Sequence, residues 1–303
     1  MTSADFSALR SALADVVAIP VTPFAADDSL DTAAHRALLG RLLDGGVRTL
    51  TPNGNTGEFY ALSPQERRAV TELTIEEARG RAMVLVGVGH DVPTAVAAAE
   101  HARDAGAEML MVHQPVHPYI SHDGWTDYHR AIADAVPGLG VVPYVRDPQL
   151  SAESLAALGE ACPNVIGVKY AVPDTARFAA FSRDAGLDRF VWIAGLAELY
   201  AVPYFAVGAT GFTSGLVNVA PSVSLGMLDA LRAGDYPAAM KTWEQIRPFE
   251  ELRAARQSAD NVTVVKEALA SLGLCRREVR APSRVLPEDR RAEIAELVAG
   301  WAV

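Results

Sequence analysis

Residues 47–66 read Val-Arg-Thr-Leu-Thr-Pro-Asn-Gly-Asn-Thr-Gly-Glu-Phe-Tyr-Ala-Leu-Ser-Pro-Gln-Glu, and this stretch holds one complete unit of the fold. Val47 to Pro52 is a short run with the β-branched content of a strand. Asn53 to Glu58 is a glycine-bearing loop. Ser63-Pro64-Gln65-Glu66 then provides an N-cap, a proline at the first helical position and an acid in the first turn, the signs of a helix start. Strand, loop and helix in this order are the repeating unit of parallel α/β architecture.

The unit recurs along the chain. Strand-like runs lie at Val16 to Pro20, Val47 to Pro52, Met83 to Gly89, Met109 to His113, Gly140 to Val145, Val165 to Tyr170, Phe190 to Gly195 and Ala209 to Ser214. Most are continuously apolar, as expected of parallel strands covered by helices. Asp104-Ala105-Gly106 ends one of the intervening helices. Eight such units predict an α/β fold of the (β/α)8 TIM barrel type. A doubly wound open sheet fits less well, because Ile19-Pro20-Val21-Thr22-Pro23-Phe24 lacks the glycine-rich turn that follows its first strand. Beyond about residue 225 the strand signals stop, and Leu225 to Leu231, Tyr236 to Arg253, Val262 to Leu272 and Glu288 to Val298 read as helices. The expected organisation is a barrel with the catalytic site over residues 1–225 and a C-terminal helical appendix over 226–303. No linker or repeat separates them, so the appendix should pack on the barrel.

Composition narrows the function. The 303 residues are 50% hydrophobic and 21% charged, with a net charge of −10, which argues for a globular chain and against nucleic acid or an anionic membrane surface as partner. Two cysteines, Cys162 and Cys275, form no disulfide framework, and no CxxC or Cys/His ligand spacing occurs. The N-terminal MTSADFSALRSALADVV lacks a basic region followed by an apolar one, and no apolar run reaches the roughly 18 residues of a membrane span. A cytoplasmic location is expected.

Chemistry in such a barrel sits at the C-terminal strand ends. Lys169, one of only three lysines with Lys241 and Lys266, lies in the apolar run Asn164 to Val172. There an ammonium is costly unless paired or neutralised, and a neutral amine can attack a ketone to form a Schiff base; a lysine reaching out from the strand end or paired with a buried acid is the alternative. Lys241 and Lys266 fall in predicted appendix helices, where solvated or helix-packing roles are expected. Tyr144 ends its strand and could shuttle protons beside an amine, or be a core tyrosine. Arg146 could clamp a carboxylate or pair with Asp147. The loop Asn53 to Glu58 could bring backbone N–H groups and the Thr56 hydroxyl to a small anion, or be a tight turn. His113, His117, His122 and His129 fall close together, but prolines interrupt the stretch and no carboxylate motif completes a metal site. A histidine lining the substrate mouth fits better than a metal ligand.

Gly54-Asn-Thr-Gly-Glu58, Tyr144, Gly167-Val-Lys169 and Gly208-Ala-Thr-Gly-Phe-Thr-Ser-Gly-Leu-Val-Asn218 together resemble the dihydrodipicolinate synthase / N-acetylneuraminate lyase family. The likeness runs from Ile19-Pro-Val-Thr-Pro-Phe24 to Val279-Arg-Ala-Pro282. It implies a class I, Schiff-base lyase acting on a small 2-oxo acid, without metal or organic cofactor, and commonly a homo-oligomer, tetramer or dimer. By this resemblance Lys169 forms the imine, Tyr144 shuttles protons and the Asn55-Thr56 loop holds the 2-oxo acid carboxylate. Thr56 is expected to act with them, and Gly54, Asn55, Arg146, His117, Gly195 and Ser214, at or after the strand ends, are expected to contact substrate. Three positions depart from the synthase pattern: Asn55 replaces the first of two loop threonines, His117 stands near one of a pair of tyrosines, and Arg146 lies closer to the strand tyrosine than the synthase's substrate-carboxylate arginine does. Gly57-Glu58-Phe59-Tyr60, Tyr144-Val-Arg146-Asp147, Ala197-Glu198-Leu199-Tyr200 and Val264-Val265-Lys266 are similar to the 5-dehydro-4-deoxyglucarate dehydratase branch, which removes water and carbon dioxide from a keto-deoxy sugar diacid. Asn55 also differs from the small residue usual in that branch. A synthase proper and a non-catalytic 2-oxo acid-binding relative are the alternatives, with a metal-dependent aldolase a more distant one.

Overall fold

The computed structural model describes residues 5–301, so Met1 to Ala4 and the last two residues, the outer ends of the two expected regions, lie outside it. Eight strands, β1 (Val16–Ala18), β2 (Thr49–Leu50), β3 (Met83–Val88), β4 (Met109–Val112), β5 (Gly140–Val145), β6 (Gly167–Tyr170), β7 (Val191–Ala194) and β8 (Gly211–Ser214), close a barrel in chain order. Every pairing is parallel, and β8 returns to β1 with Val17 opposite Thr213. All eight strands read from sequence are present, β5 with the bounds expected of it and the other seven trimmed by a residue or a few at their ends.

Twelve helices accompany them: α1 (Ser7–Leu13), α2 (Thr32–Asp44), α3 (Pro64–Ala78), α4 (Val92–Ala105), α5 (His122–Ala135), α6 (Ala152–Ala161), α7 (Thr175–Ala185), α8 (Glu198–Phe205), α9 (Pro221–Arg232), α10 (Tyr236–Ser258), α11 (Asn261–Ser271) and α12 (Glu288–Ala299), counted among the described residues. The start of α3 is the capping box expected of Ser63 and Glu66, with each side chain bonded to the other's backbone N–H. Gly106 ends α4 in the left-handed conformation that a residue without Cβ adopts freely.

Strand alternation sorts the core into two shells. Val168 and Tyr170 face the helices, whereas Leu85, Met109, Met111, Val142, Tyr144, Ile166 and Ile193 fill the barrel interior. Helix α1 seals the N-terminal end of the barrel: Leu13 presses so close that a Cβ on Gly211 would stand 2.4 Å from its carbonyl oxygen. The open end is therefore the C-terminal one. The appendix packs against that end, and α9 runs through the division drawn at residue 225.

Helix α10 breaks where the sequence reading ends it. Ala255 is extended, and Arg256 and Gln257 follow with φ of 52° and 59°. The chain there turns back toward the barrel mouth, which brings α11 over the loop after β2.

Candidate active site

A cavity of about 530 Å³ opens at the C-terminal ends of the strands. Lys169 rises from β6 with only 2% exposure. The register of β5 and β6 sets Tyr144 opposite it, and the Lys169 Nζ lies 4.0 Å from the centre of the Tyr144 ring. Burial, helped by the positive charge of Arg146, pushes the Lys169 ammonium down to about 7. Burial acts oppositely on the Tyr144 phenol, raising it so that it holds its proton at neutral pH. An amine able to lose its proton thus sits over the ring of a phenol that keeps one.

Room for this lysine comes from Gly195. A Cβ there would stand 2.9 Å from Lys169 Cγ and 2.8 Å from the Tyr170 carbonyl oxygen. Gly195 therefore forms part of the cavity wall by lacking a side chain.

The loop after β2 is held from behind. Asn53, in a left-handed conformation, donates from Nδ2 to Arg67 O (3.0 Å) and Thr71 Oγ1 (2.9 Å). Its carbonyl oxygen lies 2.8 Å from His113 Nε2. Burial pushes His113 down to about 3, so the ring is neutral and donates there, stacked on Phe59 at 4.1 Å. Gly54 is not itself on the cavity wall, but any Cβ would strike Ile19 Cγ2 at 2.4 Å, so only glycine lets the following turn seat. That turn, Asn55–Gly57, is 3-10, and its opening N–H groups have no acceptor within it. Asn55 and Thr56 line the cavity, and Asn55 Nδ2 stands 3.5 Å from the Tyr144 hydroxyl.

Arg146 lines the cavity at its rim, exposed, with its guanidinium carbon 6.0 Å from the Tyr144 ring centre. It makes no ion pair with Asp147 among the described residues; Asp147 instead accepts from Gln149 N–H.

Besides Gly54, two expected substrate contacts need correction. Ser214 is fully buried and faces away from the cavity, donating to Glu198 Oε1 (2.5 Å) while accepting from Val217 N–H (2.9 Å). Its neighbour Thr213 lines the cavity in its place, because side chains along β8 alternate between interior and exterior. His117 is exposed in the loop after β4, engaged with the backbone of Tyr119, and is not on the cavity wall. The other histidines also disperse: His122 reaches Gln149 O and His129 is buried against Trp125. Among the described residues no three His, Cys, Asp or Glu side chains gather as metal ligands.

Lys266 was expected to be solvated or to pack its helix, and it is wholly buried. Its Nζ bonds Glu58 Oε1 (2.5 Å) and Glu278 O (2.8 Å), and stands 4.0 Å from the centre of the Phe24 ring. Glu58 also accepts from Arg280 N–H (2.9 Å). This pair ties the appendix to the residue that closes the Asn55–Gly57 turn, and removing either partner would strand a buried charge. The sequence signal was available: a lone lysine inside Val262 to Leu269, an otherwise largely apolar helical run.

Arg253, Gln257 and Val262 of the appendix complete the wall. No strand-end survey could have found them, because they come from a different part of the chain.

A buried amine with a depressed pKa, seated over a protonated phenol at the mouth of a (β/α)8 barrel, belongs to the Schiff-base class of lyases. Residues 12–300 match the Dihydrodipicolinate synthetase family. The chain belongs to that family. It is 34% identical over 289 residues, 93% of this chain and 90% of the relative, to a probable 5-dehydro-4-deoxyglucarate dehydratase of Bradyrhizobium diazoefficiens. A relative of the same description from Rhodococcus jostii is 31% identical, with 93% of each chain covered. Among solved structures, a dihydrodipicolinate synthase from Bacillus clausii is 38% identical with a TM-score of 0.93, covering 97% of this chain and all of that one. The chain is accordingly a lyase of the aldolase and dehydratase type. No helix among the described residues is long and apolar enough to cross a membrane.

The Lys169 environment fixes a pH dependence. The reactive form is the neutral amine, so the rate of imine capture with pyruvate should rise about tenfold per pH unit below about 7 and level off above it. Arg146→Met removes a repelling cation, favours the ammonium and should move the inflection upward. A pH profile of the two proteins, read as borohydride-trapped adduct, checks both signs.

Proposed function

We propose that the chain is a Schiff-base dehydratase acting on a keto-deoxy sugar diacid of the 5-dehydro-4-deoxyglucarate kind. The observation that carries the reading is the Lys169 amine over the Tyr144 ring, in a cavity that also presents Arg146 and Arg253. Counting from the carboxylate beside the ketone, Lys169 Nζ attacks C2, and the carbonyl oxygen leaves as water after taking protons by way of the Tyr144 hydroxyl. The resulting iminium draws electrons from C3, which loses a proton to give the enamine. The enamine electrons then expel the C4 hydroxyl, which departs as a second water molecule. The far carboxylate leaves as carbon dioxide, its C5–C6 electron pair passing through C4 and C3 to the iminium nitrogen. After C3 and C4 are reprotonated, one water hydrolyses the imine and frees the Lys169 amine. The Asn55–Thr56 turn holds the carboxylate beside the ketone, and Thr56 lies next to the proton path.

Asn55 favours this reading over the synthase proper, which the similarity to the Bacillus clausii structure otherwise supports. A threonine hydroxyl both donates and accepts and can hand a proton along a chain. The Asn55 amide toward Tyr144 can only donate. That bond eases release of the Tyr144 proton but passes none onward.

The testing experiment offers the purified protein 5-dehydro-4-deoxyglucarate, and separately pyruvate with an aldehyde co-substrate. Steady loss of water and carbon dioxide from the diacid is the expected result. Turnover confined to the pyruvate–aldehyde pair would favour the synthase, and imine trapping without turnover of either would favour a binding protein. A homo-oligomer, tetramer or dimer, in the cytoplasm is the setting that the family relationship supports.

A further inference from the structure

Arg253 is the second guanidinium on the cavity wall, and it differs from Arg146 in every physical respect. It is buried at 5% exposure, whereas Arg146 is exposed. Its Nε and Nη2 donate to Asn261 Oδ1 (3.1 and 2.8 Å), and its Nη1 donates to Glu250 Oε1 (2.5 Å). An arginine has five N–H donors in one plane, so these bonds fix the plane and leave two donors without a protein acceptor among the described residues. Gly215 clears the approach, since a Cβ there would stand 2.3 Å from Nη2. The guanidinium is thus held against the C-terminal end of β8.

Its position relative to Lys169 matters. Strands β6 and β8 are two places apart in the barrel, at about 4.8 Å per strand spacing. Lys169 reaches inward from β6, and Arg146, next to Tyr144, stands over the reacting end. Arg146 follows β5, one strand to one side of β6, whereas Arg253 lies by Gly215 after β8, two strands to the other side. A chain joined to Lys169 can therefore extend toward Arg253 and away from Arg146. Glu250 neutralises the buried cation, yet it also lines the cavity and repels an incoming anion.

We propose that Arg253 is the specificity-determining residue that binds the far carboxylate of a diacid substrate whose ketone is joined to Lys169. The proposal rests on the diacid reading above. A planar guanidinium with two donors to spare matches a carboxylate in geometry and charge, and a terminal alcohol supplies neither the charge nor the second acceptor.

The test compares two substrates, 5-dehydro-4-deoxyglucarate and the analogue whose far carboxylate is a primary alcohol, together with borohydride trapping of pyruvate, which has no far end. In Arg253→Met the KM for the diacid should rise about 10- to 100-fold, in keeping with loss of a charge-assisted hydrogen bond. The KM for the alcohol analogue and the yield of pyruvate adduct should stay unchanged. Glu250→Gln removes the competing anion and should lower the KM for the diacid alone; a purely structural pair would predict no such gain. If Arg253→Met does not fold, Arg253→Lys, which keeps the charge and loses the planar fork, should show the same selective rise in smaller measure. Equal losses on both substrates, or a reduced pyruvate adduct in a folded variant, would overturn the role of Arg253. Absence of a pyruvate adduct in the unaltered protein would instead overturn the Schiff-base reading, and the proposal with it.

Discussion

Lys169→Met is expected to abolish the borohydride-trapped pyruvate adduct and to lower turnover by at least about 10⁴-fold, as loss of a covalent nucleophile does. The expectation rests on there being no substitute amine. Of the two other lysines, Lys241 is exposed on α10, and Lys266 is locked into its bond with Glu58. Methionine has nearly the length of lysine and no charge to desolvate, so the buried position beside Gly195 accepts it without cost to folding. A thermal melt at or above that of the parent protein, together with a missing adduct by mass spectrometry, is the predicted pair of results. An adduct that persists in the variant would remove Lys169 from the mechanism.

Tyr144→Phe should reduce kcat by about 10² to 10⁴-fold, the range for a positioned proton-transfer group, while KM changes little. The ring that lies under Lys169 Nζ is retained, and only the hydroxyl facing Asn55 is lost. Pyruvate should still form its imine, slowly, because the amine remains while the departing oxygen has lost its proton source. Steady-state kinetics beside a time course of adduct formation separates the two effects. Unchanged kcat would assign Tyr144 a packing role only.

Much of the fold was legible from local pattern. The eight apolar runs, the Ser63 capping box and the Gly106 terminus each announce an element through neighbours a few residues away. Helix α1 went unread, since its seven residues are too short for a clear periodic signal and gain their stability from plugging the barrel. The candidate site was legible only in part. Lys169 stood out because a charge within an apolar strand is costly, and Tyr144 and Thr56 because they occupy strand ends. Ser214 was chosen over Thr213 through an error of one residue, which reverses the face on which a strand side chain falls.

The sequence by itself determined the order of strands and helices, hence the barrel, and marked the end of it where chemistry belongs. Hydrophobic pattern does this because each element's buried face is written in its own residues. Only the tertiary structure decided which polar groups share the cavity. Glu58 and Lys266 meet across 208 positions of chain, and Arg253 reaches Gly215 by the fold of the appendix over the mouth. Those meetings depend on closure of the barrel and on the break in α10 at Ala255, and no local period in the sequence encodes them.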